Sequence, residues 1–542
     1  MGIPAYFIHI VKNYPNIIKK YLKEHLTVSN LYMDCNSIIY DAVRNILETN
    51  INNKNISRSI ISQVILKIEN YISVISPTQN VIIAFDGVCP IAKMSQQRNR
   101  RYKSNISSSI QKSYNENKPL TEDFNTTCIT PGTEFMESLN SSINFYFTQP
   151  YIIQKYNSLN IIISTSDEPG EGEHKIFQYI RNNPMEHTGF NTIIYGLDAD
   201  LIMLSINHLN ICPDIFLYRE TPEFIKSIDN SLEPNESYLL NISGLSKSTH
   251  IQYNDYIFLC FFLGNDFLPH FPALNIRTGG IDKLLNAYKA TIKDNENLIV
   301  GKIIQWKNVR KLVAFLLSQE EEFIKKEMKM RDKKEKIMYP NETPQDKFRK
   351  FEASPQYIRD MEKYINPFND GWQSRYYNTL FNCDNTKENT SQISINYIEG
   401  LEWTMKYYSV DCPDWTWCYK YNYPPLLQDL YNSIPYNETN FIMDKPSNPV
   451  SPITQLCYVM PRESLQFLPK KLQKYLIENI GFFYPEQVDF VWCYCRYFWE
   501  SHVILPEIPI FEKDGENSLC FHLKKYENSL LEKNESNLYL TR

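Results

Sequence analysis

Several short apolar runs rich in β-branched residues, each handing over to a carboxylate, restrict this chain to a narrow set of folds. Asn30–Met33 runs into Asp34 and Val81–Phe85 into Asp86, while Asn160–Ile163 leads through a Pro-Gly turn to Glu171 and Glu173, and Thr192–Tyr195 leads to Asp198 and Asp200. Runs of this length and composition predict buried strands. Helical patterns such as Ser59–Ile75 and Pro131–Phe147 lie between them, so strand and helix alternate as in a parallel α/β sheet. Open sheets of that kind bind ligands beyond the carboxyl ends of their strands, which is where this sequence puts its acids.

With Asp266, after a further apolar segment, the acids number seven: Asp34, Asp86, Glu171, Glu173, Asp198, Asp200 and Asp266. Taking one ionised carboxylate out of water costs several kcal/mol after relaxation, and like neighbours raise the cost, so such a cluster requires compensating cations. Oxygen-only ligands select hard ions, so two Mg²⁺ are expected, with Mn²⁺ as a substitute. The spacings D-x-D and E-x-E are read as side chains pointing the same way from extended chain. Two such ions serve both the attacking and the leaving oxygen of an in-line displacement at phosphorus, which makes phosphodiester hydrolysis the expected chemistry.

Bulk charge does not hold this protein on a polyanion, because 56 Lys and Arg face 62 Asp and Glu, a net charge of −6. Any such partner needs a local basic patch, and one follows the Asp86 strand directly. In DGVCPIAKMSQQRNRRYKS, Lys93, Gln97, Arg100 and Arg101 fall at i, i+4, i+7 and i+8 and share one helical face. A point charge, a neutral donor and two rigid donor forks suit a terminal phosphate.

No run approaches 18 consecutive apolar residues, no secretory signal opens the chain, and Tyr6 stands where a myristoylation pattern needs Ser or Thr. The 12 cysteines contain no C-x-x-C, so free thiols in a reducing, cytoplasmic setting are expected and a structural zinc site is not. A length of 542 residues implies several units. After about Gln305 comes a charged stretch, EEEFIKKEMKMRDKKEK, with Glu321/Lys325 and Glu322/Lys326 at favourable spacing, read as a solvated or projecting helix. Past Pro367 the chain turns aromatic and forms a second packed region. The tail after Phe511 is polar and carries no clear pattern.

The matching stretches MGIPAYF, YMDCNSII, FDGVCPIAKMSQQRNRR, CITPGTEFM, PGEGEHKIFQYIR, IYGLDADLIML and FLGNDFLPHFP, then GWQSRYY and CPDWTWCYKYNYPP, closely resemble the XRN family of 5′→3′ exoribonucleases. The resemblance implies an α/β fold with a mostly parallel sheet flanked by helices, a PIN/FEN-like nuclease core, and a mixed aromatic-rich region packed on it. The expected divisions are a nuclease domain at 1–290, a charged helical connector at 291–365, a second conserved region at 366–510 and a tail at 511–542. On the same resemblance the seven acids are metal ligands, and Lys93, Gln97, Arg100 and Arg101 form a 5′-monophosphate pocket. Tyr40 stands where the family has a histidine, and with Trp415 or Trp417 it would stack the 5′ base.

The expected substrate is single-stranded RNA with a 5′ monophosphate, degraded to 5′ mononucleotides in RNA decay by a cytoplasmic monomer, with decapping factors as further partners. The chain stops soon after the second region and is read as a minimal form. Its Ile, Asn, Lys and Tyr content points to an A/T-rich genome, such as that of a large DNA virus or a parasite. Two alternatives stand beside this reading: a flap-endonuclease-like DNA nuclease, and a catalytically silent RNA-binding decoy.

Overall fold

Alternate side chains of a strand leave on opposite faces of its sheet, so a strand that is apolar at every position needs cover on both sides. The computed structural model, which describes residues 3, 5–48, 55–114, 124–293, 295–443, 447–511 and 515–531, meets that need. Met1, Gly2 and Pro4 of the opening motif and the tail beyond 531 lie outside the described residues. On β2 (Asn30–Asp34), Leu31 and Met33 join a core with Val81, Ile83, Ile193 and the helices Asn36–Glu48, Ile56–Ile75 and Glu134–Phe147. Tyr32 points the other way with Ile82 and Ile194, into a larger core built on Ile176, Phe177, Leu201 and Ile257.

The sheet has seven strands. They are β1 (Ile18–Lys20), β2, β3 (Asn80–Ala84), β4 (Asn160–Ser164), β5 (Thr192–Tyr195), β6 (Ile215–Glu220) and β7 (Ser237–Asn241), in the order β1-β7-β6-β5-β2-β3-β4. The block from β6 to β4 is parallel, and β7 and β1 add antiparallel strands at one edge. Because the chain builds outward from β2 through β3 and β4, then returns to lay β5 on its other side, the strand order reverses beside β2. A crevice opens at the carboxyl ends at such a reversal. Asp34 ends β2, and Asp86, Glu171 and Asp198 follow β3, β4 and β5. The expected α/β class is what the structure has.

The charged stretch departs from the expectation of a projecting helix. Glu320–Glu335 turns Phe323, Ile324 and Met328 inward, and Arg331 makes a buried two-pronged pair with Glu362, at 2.9 and 2.6 Å. Only the other face is solvated, where Glu321–Lys325 and Glu322–Lys326 pair at i, i+4. Apolar residues at single helical positions were hidden among the charges. The larger core runs without a break from Ile3 to Tyr494, so the two halves share one interior, and the divisions at 290, 365 and 510 remain a proposal from sequence. The tail also holds a helix, Leu519–Leu531, whose Leu519, Leu523 and Tyr526 pack with Ile91 and Met94 of the basic helix. None of the helices among the described residues is long and apolar enough to cross a membrane.

Candidate active site

The acids arrive by two kinds of local structure. Asp34 sits at a strand end, whereas Glu171 is the N-cap of helix Gly172–Asn182, Glu173 lies in that helix's first turn, and Asp200 opens helix Asp200–Asn207. The reading of E-x-E and D-x-D as extended chain is therefore corrected: the second acid of each pair belongs to a helix start. There the unpaired backbone N–H groups and the positive end of the helix favour negative charge. Asp200 is consequently buried and Asp198 exposed, whereas Glu171 and Glu173 are both buried.

Close approach is enforced by Gly172. Its N–H donates to Asp86 Oδ1 at 2.7 Å, and a Cβ at this position would lie 2.8 Å from Asp34 Oδ1 and 3.4 Å from Asp86 Oδ1. Any side chain would push into the space between the two carboxylates. Asn36 holds Asp86 from the other side, its Nδ2 donating to Oδ2 at 2.5 Å and its Oδ1 accepting from the Asp86 N–H at 3.1 Å. Lys175 donates to the carbonyls of Phe85 and Thr165, both at 2.8 Å, and so ties together the ends of β3 and β4.

Two of the acids are also held by the second half of the chain. From helix Lys387–Ser409, the Tyr407 hydroxyl donates to Glu171 Oε1 and the Tyr408 hydroxyl to Asp200 Oδ1, each at 2.8 Å. Behind them runs a stack of rings: Trp417 on Trp403 at 5.3 Å, Trp403 on Tyr407 at 4.7 Å, and Tyr407 on His174 at 3.8 Å. Burial, reinforced by Lys93, keeps His174 neutral, and its donor atom lies within 4.8 Å of those of Glu171 and Glu173. Asn36, His174, Tyr407 and Tyr408 were not singled out in the sequence. Asn36 and His174 were within reach, in YMDCNSII and PGEGEHK, but nothing marks two tyrosines more than 200 residues from their partners.

Charge in the cluster is incompletely balanced. Burial and then Asp86 push Asp34 well above the usual carboxylate range, burial and Asp200 do the same to Glu173, and burial and Asp266 raise Asp200 to about 7. Asp266 moves the opposite way, because Lys93 overcomes the cost of its burial. Lys93 Nζ lies 2.5 Å from Glu171 Oε2 and 2.7 Å from Asp266 Oδ2, so this lysine reaches into the acids as well as belonging to the basic face. Asp34 Oδ1 and Glu173 Oε2 are buried without a hydrogen-bond partner. Carboxylates that repel one another, two orphaned carboxylate oxygens and a neutral imidazole beside Glu171 and Glu173 fit a divalent-cation site.

The other basic residues sit further along helix Ile91–Tyr114. Arg101 donates to Thr130 Oγ1 at 2.6 Å and contacts the Met460 sulfur at 3.2 Å, both neutral groups, and burial lowers its guanidinium to about 10 despite the nearby Tyr40. Arg100 is exposed next to it, and neither arginine has an acidic partner among the described residues. Gln97 donates to Cys89 Sγ at 3.5 Å and leaves Oε1 unpaired. Tyr40 is 40% exposed. The structure separates the two tryptophans: Trp417 is buried in the ring stack with Nε1 on Glu399, whereas Trp415 is only half-buried. The Trp415 carbonyl accepts from the N–H of Ile91, which fixes it to the start of the basic helix.

The sequence pattern of the XRN 5′-3′ exonuclease N-terminus matches residues 1–221, and that of the Xrn1 helical domain matches 250–366 and 341–537. The chain belongs to the XRN 5′-3′ exonuclease family. Among the XRN proteins similar to it, 5′-3′ exoribonuclease 2 of Gallus gallus is 26% identical, with 93% of this chain and 68% of the relative covered. The yeast 5′-3′ exoribonuclease 1 is 26% identical over 90% of this chain, which spans 41% of that relative, and for the human 5′-3′ exoribonuclease 1 the figures are 25%, 97% and 34%. Among solved structures, the catalytic core of Rad2 in complex with DNA substrate is 13% identical with a TM-score of 0.32, covering 62% of this chain and 81% of that one. That likeness is too low to bear on activity.

Proposed function

We propose that this chain is a 5′→3′ exoribonuclease that degrades 5′-monophosphorylated single-stranded RNA to 5′ mononucleotides. One observation carries the reading: a single helix delivers Lys93 into the acid cluster and, two turns on, a half-buried Arg101 with no acidic partner among the described residues. A guanidinium hydrogen-bonded only to neutral groups, with a second arginine beside it, is a place prepared for an anion. The fixed distance along the helix between that anion and the acids would set which phosphodiester is cut, so the strand is counted from its 5′ end.

Mg²⁺ ions bound by the seven acids would supply Lewis acidity and a water activated at neutral pH. The chain's own residues bind and orient. Lys93, Gln97, Arg100 and Arg101 hold the terminal phosphate, while Tyr40 and Trp415 stack the first base, a contact worth about 1–3 kcal/mol and tolerant of sequence. Tyr407, Tyr408, Asn36 and the Gly172 N–H keep the carboxylates at fixed orientations. Donors matched to one phosphate would disfavour a cap or a triphosphate, so decapping would supply the substrate. We place this activity in a cytoplasmic monomer.

Identical RNA and DNA oligomers bearing 5′-OH, 5′-monophosphate or 5′-triphosphate, in Mg²⁺ or EDTA, test the proposal, with Asp200→Ala as the inactive control. Fast mononucleotide release only from the monophosphorylated RNA in Mg²⁺ is expected. Loss of the triphosphate form at the monophosphate rate would overturn the pocket, and equal rates for wild type and Asp200→Ala would overturn the catalytic centre.

A further inference from the structure

A cleft of about 340 Å³ lies behind Asp266, on the side of the basic helix that carries Gln96. That volume falls within the roughly 300–1,000 Å³ typical of small-molecule sites. Its lining is unusual for a structural void. Asn265 spends its Oδ1 on the N–H groups of Phe267 and Leu268, at 2.9 and 2.8 Å, and leaves Nδ2 with no partner. His270 Nε2 and the hydroxyls of Tyr423 and Tyr494 are also buried and unpaired, although the two tyrosines are only 4% and 3% exposed. Buried polar groups are nearly always satisfied, and four orphans lining one cleft call for a polar occupant.

The segment bearing two of them is built for this position. Gly264 has φ +83°, and a Cβ there would lie 2.7 Å from the backbone nitrogen of His270, so the turn closes tightly and brings Asn265, Asp266 and His270 to one cleft. At its far end the cleft shares Asn275 and Arg277 with a small recess of about 20 Å³, where Arg331, Lys334 and Arg496 converge. Arg277 is paired with Glu500 at 2.7 Å and Arg331 with Glu362 at 2.6 Å. Lys334 and Arg496 form no ion pair among the described residues, and set against the buried Glu327 that also lines the recess they leave that end with one net positive charge.

We propose that this cleft binds a nucleoside 5′-monophosphate, with its phosphate toward Lys334 and Arg496 and its base among His270, Tyr423 and Tyr494. The occupant is the class of molecule that the neighbouring acids release if they cut as read above, so the cleft receives product after cleavage. Planar neutral groups offering donors match a base edge, and a cationic end beyond them matches a phosphate dianion. The negative acid cluster at one end and the positive recess at the other favour movement of an anion away from the catalytic centre.

Calorimetric titration of AMP, adenosine and inorganic phosphate into the full chain in EDTA tests this without any turnover. In an Arg100→Ala/Arg101→Ala background, which removes the first phosphate pocket, AMP binding should persist and exceed that of adenosine or phosphate at least tenfold. Adding Lys334→Glu and Arg496→Glu should weaken it at least tenfold, and Tyr494→Phe, which deletes only an unpaired hydroxyl, should weaken it severalfold without unfolding the chain. AMP binding lost with Arg100 and Arg101, or untouched by the other substitutions, would overturn the site, as would no binding at all. RNA degradation without AMP binding in the cleft defeats this inference alone, and AMP binding there without RNA degradation leaves the cleft standing while the activity falls.

Discussion

Lys93→Met removes the lysine that pairs with two acids of the cluster while keeping most of the apolar stem. In the metal-free protein Glu171 and Asp266, at 2.5 and 2.7 Å from Nζ, would lose their shared counter-charge at once. Removing one partner of a buried ion pair costs about 3–5 kcal/mol, and with two carboxylates left behind the upper half of that range is expected. Asp266 is held below the usual carboxylate range by Lys93, so its pKa rises in the variant and protonation relieves part of the loss at low pH. The deficit should therefore be larger at pH 8 than at pH 5.5. Urea denaturation in EDTA, followed by tryptophan fluorescence and by far-UV circular dichroism, measures it. Titrating Mg²⁺ should then recover more stability in the variant than in wild type, because a divalent ion can supply the charge that the lysine gave. Equal midpoints for the two proteins in EDTA at pH 8, or no larger gain from Mg²⁺ in the variant, would refute the reasoning.

Tyr408→Phe deletes a hydrogen bond to a charged carboxylate, worth about 1.5–3 kcal/mol, and should lower kcat about tenfold or more with little change in KM for RNA, read in steady-state nucleotide release. Trp415→Ala should weaken binding of single-stranded RNA by about 1–3 kcal/mol without altering the urea midpoint. Trp417→Ala should instead destabilise the fold by about 3–5 kcal/mol, since its ring belongs to the buried stack. Burial and neighbouring acids raise Asp34, Glu173 and Asp200, so the folded state binds protons more tightly than the unfolded one, and metal-free stability should fall as pH rises from about 4 to about 7. Asp200→Asn should make that fall shallower, and Mg²⁺ should offset it most at the upper end; denaturation midpoints across this range check both.

Much of the catalytic half was legible because its chemistry is local. Leu31–Met33 and Val81–Phe85 are apolar without alternation, which only a strand covered on both faces can satisfy, and a parallel sheet places their following carboxylates on one edge. The basic face from Lys93 to Arg101 follows from helical spacing alone. Helix starts at Glu173 and Asp200 were misread because two residues of spacing look alike in a strand and at a cap, and the backbone hydrogen bonds that distinguish them do not show in residue types.

What the order of residues determined by itself is the alternating sheet, the row of acids at its edge and the donor face beside them, since each depends on neighbours within a turn or a strand. Tertiary structure alone decided that Tyr407 and Tyr408 steady two of those acids, that Trp417 is interior while Trp415 reaches solvent, and that unpaired groups gather behind Asp266. Those outcomes depend on hydrogen bonds and packing between segments far apart in the chain, where partners are chosen by three-dimensional proximity and burial, and spacing along the chain carries no trace of either.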